Sequence, residues 1–299
     1  MVAGTVILIP VYSQGYLLRF LTLTWIFGIS VLGLRFLHLV GEVNFGHIGF
    51  VAIGAYVSAL LAVKAGVPFL VSLVGGCVIP GLLGLGLGFI SMKLTGAYFF
   101  MVTFAVNEVI ILSLTRLRFV TGGYGGISNI PAPAQVFVGS DLPYYYAATG
   151  FLIVVFTVTE VLDKSYFGTV LKSIAQAPSL AESVGINTLK SKAYCLSMSC
   201  SIAGLSGSLF AHYVGFINPD CFSFHYMMDT LTFMIVGGAA SGVGSILGTL
   251  LVRSIIEAVG GLQQYELILS SGLLLVVMLF LREGIISLPQ MASRLLTRK

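Results

Sequence analysis

Charged side chains are scarce in this chain. Asp, Glu, Lys and Arg make up 9 % of its 299 residues, whereas soluble domains carry roughly 25 %. Apolar residues make up 57 %, and the mean hydropathy is +1.03. Water cannot solvate so much apolar surface, so the sequence predicts a protein whose solvent is the lipid bilayer. The net charge of +4 forms no dense basic stripe, which argues against nucleic acid as a partner.

Two further absences limit the chemistry of the chain. The glycine-rich segments 121–126 and 237–248 contain no G-K-[ST] sequence, so no ATP-binding loop is predicted here. The four cysteines form no C-x-x-C pair and are interpreted as small packing residues. We therefore predict no catalytic group and no metal site. No Lys or Arg precedes Arg19, so the first apolar span is not predicted to be a cleaved signal peptide.

Apolar segments of membrane length recur along the chain. The predicted fold is therefore all-α, a polytopic membrane helix bundle of about nine spans, with eight or ten as alternatives. The seventh and eighth, around 237–248, are candidates for broken or short helices. The predicted spans are 17–40, 45–63, 68–92, 97–115, 143–162, 193–214, 227–240, 243–259 and 265–281.

A long polar interruption, residues 164–192, separates the fifth and sixth of these spans. It is too long for a simple connector between packed helices. Its interior predicts short helices broken at Pro178 and ended at Gly185. An ordered module of this kind, placed in water, indicates docking of a soluble partner. A few apolar anchors should dominate such a surface, and the predicted ones are Ile174, Leu180 and Val184, with Glu182 at the rim.

Basic residues orient the bundle, because Lys and Arg concentrate in cytoplasmic loops. They place segment 164–192 and the C-terminal tail inside the cell and loop 119–142 outside. With nine spans, the N-terminus lies outside, and a further short span in residues 1–15 would reverse this side. The chain is then a single transmembrane domain, 1–299, with a cytoplasmic loop at 164–192. The residues behind this assignment are Lys164, Lys172, Lys190, Lys192, Arg282, Arg294, Arg298 and Lys299.

Four polar residues in or beside apolar spans are candidates for a polar path. Asn44 and His47 open the second span among glycines, where an unwound helix start exposes backbone groups; close packing of a small-residue face is an equally weighted alternative. An unpaired charge at the bilayer centre costs roughly 2.5–3.5 kcal/mol. Glu108 and Asp229 are therefore expected to face a cavity or a partner, with a cap or an interfacial hydrogen bond as the alternative. Arg35, near the end of the first span, is interpreted as an interfacial anchor.

A set of motifs in this sequence resembles the LivM-like permeases of branched-chain amino-acid ABC importers. Each motif is weak alone, but they follow the family order over nearly the whole chain. They are Phe45-Gly-His-Ile-Gly-Phe-Val-Ala-Ile-Gly-Ala-Tyr56, Thr121-Gly-Gly-Tyr-Gly-Gly-Ile127, Ser165-Tyr-Phe-Gly168, Ala181-Glu-Ser-Val-Gly-Ile186, Ala203-Gly-Leu-Ser-Gly207, Gly215-Phe-Ile-Asn-Pro-Asp220, the glycine pattern of 237–248 and Phe280-Leu-Arg-Glu-Gly284.

The resemblance implies a heteromeric importer of the bacterial inner membrane. Its partners would be a second homologous permease subunit, two cytoplasmic ATPase subunits that carry ATP, and a periplasmic substrate-binding protein; no cofactor is expected on this chain. The ATPase-docking region would be 173–186, including Ala181 and Gly185. Loop 119–133 and turn 215–220 would belong to the platform for the binding protein.

The substrate stays open at this point. The resemblance implies branched-chain or other hydrophobic amino acids, and related permeases carry urea, amides or aromatic acids. An ion-coupled secondary transporter is the alternative from another class. It would need buried acids arranged as an ion or proton relay, for which Glu108 and Asp229 are the candidates.

Overall fold

A computed structural model describes residues 15–131 and 142–258, together with Gly272 and Leu275. This part of the chain is all-α, with one isolated β-bridge. The helices are α1 (Tyr16–His38), α2 (His47–Lys64), α3 (Phe69–Ser91), α4 (Ala97–Arg116), α5 (Arg118–Thr121), α6 (Leu142–Lys164), α7 (Tyr166–Gln176), α8 (Pro178–Ser183), α9 (Thr188–Val214), α10 (Phe224–Gly237) and α11 (Gly242–Ala258), with 3-10 helices at Gly123–Gly125 and Pro219–Phe222.

Six of these helices, α1 to α4, α6 and α9, are long and apolar enough to cross a membrane. They coincide with the first six predicted spans, so the polytopic all-α bundle is confirmed. The predicted seventh and eighth spans fall on α10 and α11, which have 14 and 17 residues. Helix α10 is shorter than the roughly 20 residues that a straight crossing needs, whereas α11 is described only as far as Ala258. The predicted span 265–281 lies outside the described residues, apart from Gly272 and Leu275.

Helix α9 lies at the centre of the bundle and packs against α1, α2 and α3. Its small residues let neighbouring backbones approach closely, as is typical of helix association in membranes. A Cβ on Gly54 of α2 would lie 2.3 Å from Gly204 Cα. Serine hydroxyls add bonds between helices: Ser206 donates to Ile26 O at 2.8 Å and Ser208 to Gly54 O at 3.1 Å. The sequence Ala203–Gly207 is therefore a packing motif.

The long helices alternate in direction, which gives the bundle two distinct ends. Helices α7 and α8 lie at one end, here called the module end, where Ala175 of α7 lies beside Gly41 after α1. Loop 118–131 and turn 215–222 meet at the other, the loop end. Tyr16 at the start of α1 donates a hydrogen bond to Glu257 of α11. Helix α11 therefore runs from the module end toward the loop end.

The chain re-enters the bundle between α9 and α10. The ring of Phe222, in the second 3-10 helix, packs near Tyr56 in the interior of α2. Tyr226, in the first turn of α10, stacks on Phe27, midway along α1, with ring centroids 4.7 Å apart. Helix α10 thus begins inside the bundle, which explains why it is so short.

Candidate functional site

The segment between α6 and α9 forms an ordered helical module, here called the α7–α8 module (residues 165–186). Helix α7 ends at Gln176 and Pro178 begins α8. Gly185, with a φ of +86°, follows α8 and suits a helix end that only glycine adopts readily. The predicted break at Pro178 and the predicted end at Gly185 are therefore confirmed.

One face of the α7–α8 module is attached to the bundle. Val170, Leu171 and Ile174 of α7 belong to the main hydrophobic core, and Ile174 is 1 % exposed. Ala181 of α8 is buried in the same core. The prediction of Ile174 as a surface anchor is therefore wrong, and Ala181, placed in the docking region by the resemblance, is also buried. The apolar stripe of an amphipathic helix packs first against its own core, and these two residues are part of that stripe.

The opposite face of the module is free of the bundle. Leu180 and Val184 are 67 % and 75 % exposed. Glu182 is exposed and accepts a hydrogen bond from Thr188 Oγ1 at 2.6 Å, which joins α8 to the start of α9. The same turn borders an open cleft of about 440 Å³, lined by Glu182, Gly185, Ile186, Asn187, Thr188 and Leu189.

A cluster of charged side chains lies beneath the α7–α8 module. Arg35 of α1 is 1 % exposed; its Nη2 donates to Asp163 Oδ2 at 2.8 Å, and its Nη1 lies 3.6 Å from Glu160 Oε1. Lys172 of α7 pairs with the other carboxylate oxygen of Asp163. Lys164 pairs with Glu160 at 3.4 Å and is largely exposed. The cluster therefore joins α1, α6 and α7.

Arg35 also contacts the break between α10 and α11. Its Nε donates to Ala239 O at 3.3 Å and its Nη2 to Ala240 O at 3.1 Å. Glu160 Oε1 accepts from Gly242 N at 3.3 Å. The interpretation of Arg35 as an interfacial anchor is wrong, because its charge is paired inside the bundle. Sequence reasoning missed this cluster. Its signal was an arginine in one apolar span and two acids, Glu160 and Asp163, at the end of another.

The loop end is held by backbone bonds. Ile127 N donates to Ile217 O at 2.9 Å, and Ile217 N donates to Ile127 O at 3.0 Å. Gly126, with a φ of +67°, passes so close that a Cβ there would lie 2.0 Å from Ile217 O. The structure thus joins the two outer segments that the sequence named separately, loop 119–133 and turn 215–220, at least over their described residues.

A buried histidine fixes the same loop to the helices. His212 Nδ1 donates to Pro131 O at 2.9 Å, because a carbonyl can only accept. Its Nε2 then accepts from the Ser58 hydroxyl at 2.9 Å and lies 3.2 Å from Ser72 Oγ. His212 therefore connects α9, α2, α3 and loop 118–131 through neutral hydrogen bonds.

The start of α2 packs closely against α4. Asn44 Oδ1 accepts from Gly46 N at 2.8 Å, and His47 Nε2 donates to Ser30 O at 3.0 Å; both side chains are fully buried. A Cβ on Gly46 would lie 2.8 Å from Thr103 O. Close packing of a small-residue face, one of the two alternatives for this motif, is therefore what the glycines do.

The two acidic candidates lie apart from Asn44 and His47. Glu108 is exposed on the outer face of α4, where it accepts from Asn107 Nδ2 at 3.2 Å. Asp229 of α10 pairs with His225, one turn earlier, at 3.3 Å. The described residues therefore contain no single cluster of these four side chains.

A known protein family matches residues 16–281 of the chain. It is described as the permease component of branched-chain amino acid transport systems. The chain belongs to this family. The permease is thus the non-catalytic, multi-pass component of an ABC transporter of the bacterial inner membrane.

Curated relatives resemble the permease over different lengths. The high-affinity branched-chain amino acid transport system permease protein LivM of Escherichia coli (strain K12) is 28% identical over 295 residues, which cover 90% of this chain and 69% of LivM. BraD of Pseudomonas aeruginosa is 28% identical over 141 residues, 46% of this chain and 45% of BraD. LivH of Escherichia coli (strain K12) is 29% identical over 129 residues, 42% of this chain and 41% of LivH. No solved structure matches the chain.

Proposed function

We propose that this permease forms, together with a second homologous permease subunit, the path by which branched-chain or other hydrophobic amino acids enter the cell. Two ATPase subunits dock on the pair of permeases and supply the energy, and the α7–α8 module is the docking site on this chain. A periplasmic binding protein delivers the substrate at the loop end. The assembly sits in the lipid bilayer, and ATP binds only to the partner subunits. The observation that carries the proposal is the exposed apolar pair Leu180 and Val184 on a module that is otherwise attached to the bundle.

The orientation rests on the basic residues of the module end. Lys164, Lys172 and Lys190 lie there and are exposed, as the excess of Lys in cytoplasmic loops predicts. Tyr16 lies at the opposite end of the bundle, so the start of α1 faces the periplasm. This arrangement agrees with nine spans, the ninth being the apolar segment 265–281 of the sequence.

Docking is best supported by the two faces of α8. Ala181 is buried, whereas Leu180 and Val184 point away from the core. Apolar side chains on a surface in water are normally covered by a partner when they form a patch. The cleft beside Glu182 and Gly185 offers room for side chains of that partner. Leu180 and Val184 are therefore the proposed anchors, with Glu182 and Gly185 at the rim.

The transport path is proposed along the outer face of α4. Glu108 is exposed there in the middle of an apolar helix, and a carboxylate at that depth needs water or a partner. Ser223 and Phe224, where α10 begins inside the bundle, are exposed, and the Phe224 ring packs edge-on against Phe104 of α4. A wall of this kind, shared with the second subunit, offers a zwitterion some polar groups without a deep binding well. Asn44, His47 and Asp229 remain weaker candidates, because each is buried or paired locally.

An ion-coupled transporter is less well supported. Glu108 and Asp229 each have a local partner, Asn107 and His225. A proton or ion relay would need acids within reach of one another.

Substitution Leu180→Asp tests the proposal. It should abolish copurification of the ATPase and uptake of radiolabelled leucine in vesicles, while the permease still inserts, because a charge replaces a central apolar anchor. Ser179→Asp, which adds the same charge one residue away and removes no apolar group, is the control and should keep most of both. In the same assay, Glu108→Ala should reduce uptake but leave the amount of assembled complex unchanged.

Normal uptake by Leu180→Asp would refute docking at this site. Uptake that proceeds without any ATPase in the vesicles would refute the ABC mechanism. Competition by unlabelled valine and isoleucine, but not by urea, distinguishes the proposed substrates from the alternatives.

A further inference from the structure

The buried charge cluster at the module end contains more positive than negative side chains. Among the described residues, Arg35, Lys164 and Lys172 pair with two carboxylates, those of Glu160 and Asp163. The described neighbours supply further negative charge from the backbone, because Arg35 donates to Ala239 O and Ala240 O just beyond the end of α10. Carbonyl oxygens at a helix C-terminus carry partial negative charge and favour a cation.

The contacts of Arg35 use the shape of its guanidinium group. One side chain binds a carboxylate of α6 and two carbonyls of the α10–α11 break at the same time. Nη2 holds both Asp163 and Ala240 O, while Nε reaches Ala239 O. A lysine has one nitrogen and cannot replace both of these donor atoms. Burial makes these bonds matter, since Arg35 is 1 % exposed and water cannot replace a lost partner.

Among the described residues, few other side chains bind the backbone of the α10–α11 break. Its backbone turns at Gly238, with a φ of +100°, and Ala240 is exposed. Glu160 accepts from Gly242 N on the far side of the break. The break has bonds of its own, such as Ser241 N to Gly238 O at 3.3 Å. Arg35 of α1 and Glu160 of α6 add contacts from other helices, and Asp163, the partner of Arg35, is paired with Lys172 of the α7–α8 module.

We propose that Arg35 is a positioning residue that links the α7–α8 module to the α10–α11 break through Asp163 and Lys172. A displacement of α7 acts on Lys172, changes the position of Asp163 and Arg35, and so moves the end of α10, whose other end lies inside the bundle beside the proposed path. The inference rests on the proposed function, in which an ATPase moves the module. It adds the residue that carries this movement into the membrane.

Three variants test the link in complexes reconstituted with their ATPase and binding protein. Arg35→Lys keeps the charge and a nitrogen to pair with Asp163 but removes Nε, the donor to Ala239 O. Lys172→Met breaks the link on the module side, at a half-exposed residue, and leaves Asp163 paired with Arg35. Lys164→Met is the matched control, because it removes a lysine of the same cluster that contacts only Glu160 and is largely exposed.

The measured quantity is leucine uptake per ATP hydrolysed, normalised to assembled complex. Arg35→Lys and Lys172→Met should lower it by about five-fold or more, the lower limit of typical coupling between sites, while ATPase binding and basal hydrolysis persist. Lys164→Met should match the wild type. Hydrogen exchange at the amides of residues 238–242 should be faster in Arg35→Lys than in Lys164→Met.

A purely structural role for Arg35 predicts a different result. Lower amounts of complex with an unchanged ratio of uptake to hydrolysis would overturn the inference, as would an equal loss in Lys164→Met. If Arg35→Lys does not assemble, an unchanged ratio in Lys172→Met is sufficient to reject the link. If the wild-type permease binds no ATPase, the proposed function fails, and the inference fails with it.

Discussion

The two ends of the bundle are held together by different chemistry. At the module end, Arg35, Asp163 and Lys172 join three helices by buried or half-buried ion pairs. At the loop end, the bridge between Ile127 and Ile217 and the neutral bonds of His212 perform the same task. Both ends bring together segments that are distant in the sequence.

This difference suits different tasks. Backbone bonds between two loops fix the shape of a surface, as a platform for a binding protein needs. In a cluster of ions that share partners, a buried charge left unpaired is costly. When one partner moves, the other charges therefore shift to a new counterion or carbonyl inside the bundle. We therefore infer that the loop end presents a fixed surface and that the module end transmits movement.

The largest expected loss comes from breaking the charge cluster. Asp163→Asn removes the carboxylate between Arg35 and Lys172 and leaves the buried Arg35 with only the longer pair to Glu160 at 3.6 Å. Breaking a buried ion pair costs about 3 kcal/mol. The stability of the purified permease in detergent, measured by thermal unfolding, should fall accordingly.

The control for this change is Glu160→Gln. Glu160 is more exposed than Asp163 and lies farther from Arg35, at 3.6 Å rather than 2.8 Å. Its loss should be clearly smaller. Equal effects of the two substitutions would show that Asp163 is not the centre of the cluster.

A smaller loss is expected when the loop end is disturbed. Gly126→Ala places a Cβ where φ is +67° and where Ile217 O is in the way. The left-handed conformation alone costs roughly 1–2 kcal/mol, so the bridge should open locally. Hydrogen exchange at the Ile127 and Ile217 amides measures this opening.

Gly125→Ala is the matched control for the loop. A Cβ at Gly125 meets no atom within 4 Å, and its φ is not positive. This variant should keep both amides protected. Protection that survives in Gly126→Ala would mean that the bridge does not depend on the glycine.

Much of the fold could be predicted from the sequence, and the reason is local. Apolar runs, together with turn residues at Gly66–Pro68 and Gly96, identify the six long helices within a few residues. The start of α10 inside the bundle could not be predicted. The sequence Asn218-Pro219-Asp220 predicts a turn but not whether that turn lies at the surface or in the interior. Depth in the bundle is a tertiary property.

The candidate site was predicted less well than the fold. The module and its two helix ends follow from Pro178 and Gly185. Ile174 was placed on the wrong face, although its spacing from Val170 and Leu171 marks a stripe that packs inward. The partner of Arg35 lies 128 residues away in the chain. The sequence shows an arginine and two acids in or beside apolar spans, but it does not show that they meet.

The smallest predicted effect concerns Glu42, a glutamate in the loop between α1 and α2 at the module end. Burial raises the pKa of Glu42 above its ordinary value of 4.5, and the nearby Gly96 N–H and the charge of Lys192 only partly oppose this shift. Ionisation therefore costs the folded chain more than the unfolded chain. Stability falls as the pH rises through the ordinary range of a glutamate, and the loss is complete above the raised pKa.

Glu42→Gln should remove this dependence, because the amide cannot ionise. Between acidic and neutral pH, the variant should lose less thermal stability than the wild type. Gly96 N, 3.3 Å from both carboxylate oxygens of Glu42, keeps an acceptor in the amide. The gain in stability at neutral pH should be small. Glu182→Gln, at an exposed glutamate of the same end, is the control. An unchanged pH dependence in Glu42→Gln would show that the charge of Glu42 is as well solvated as that of a surface residue.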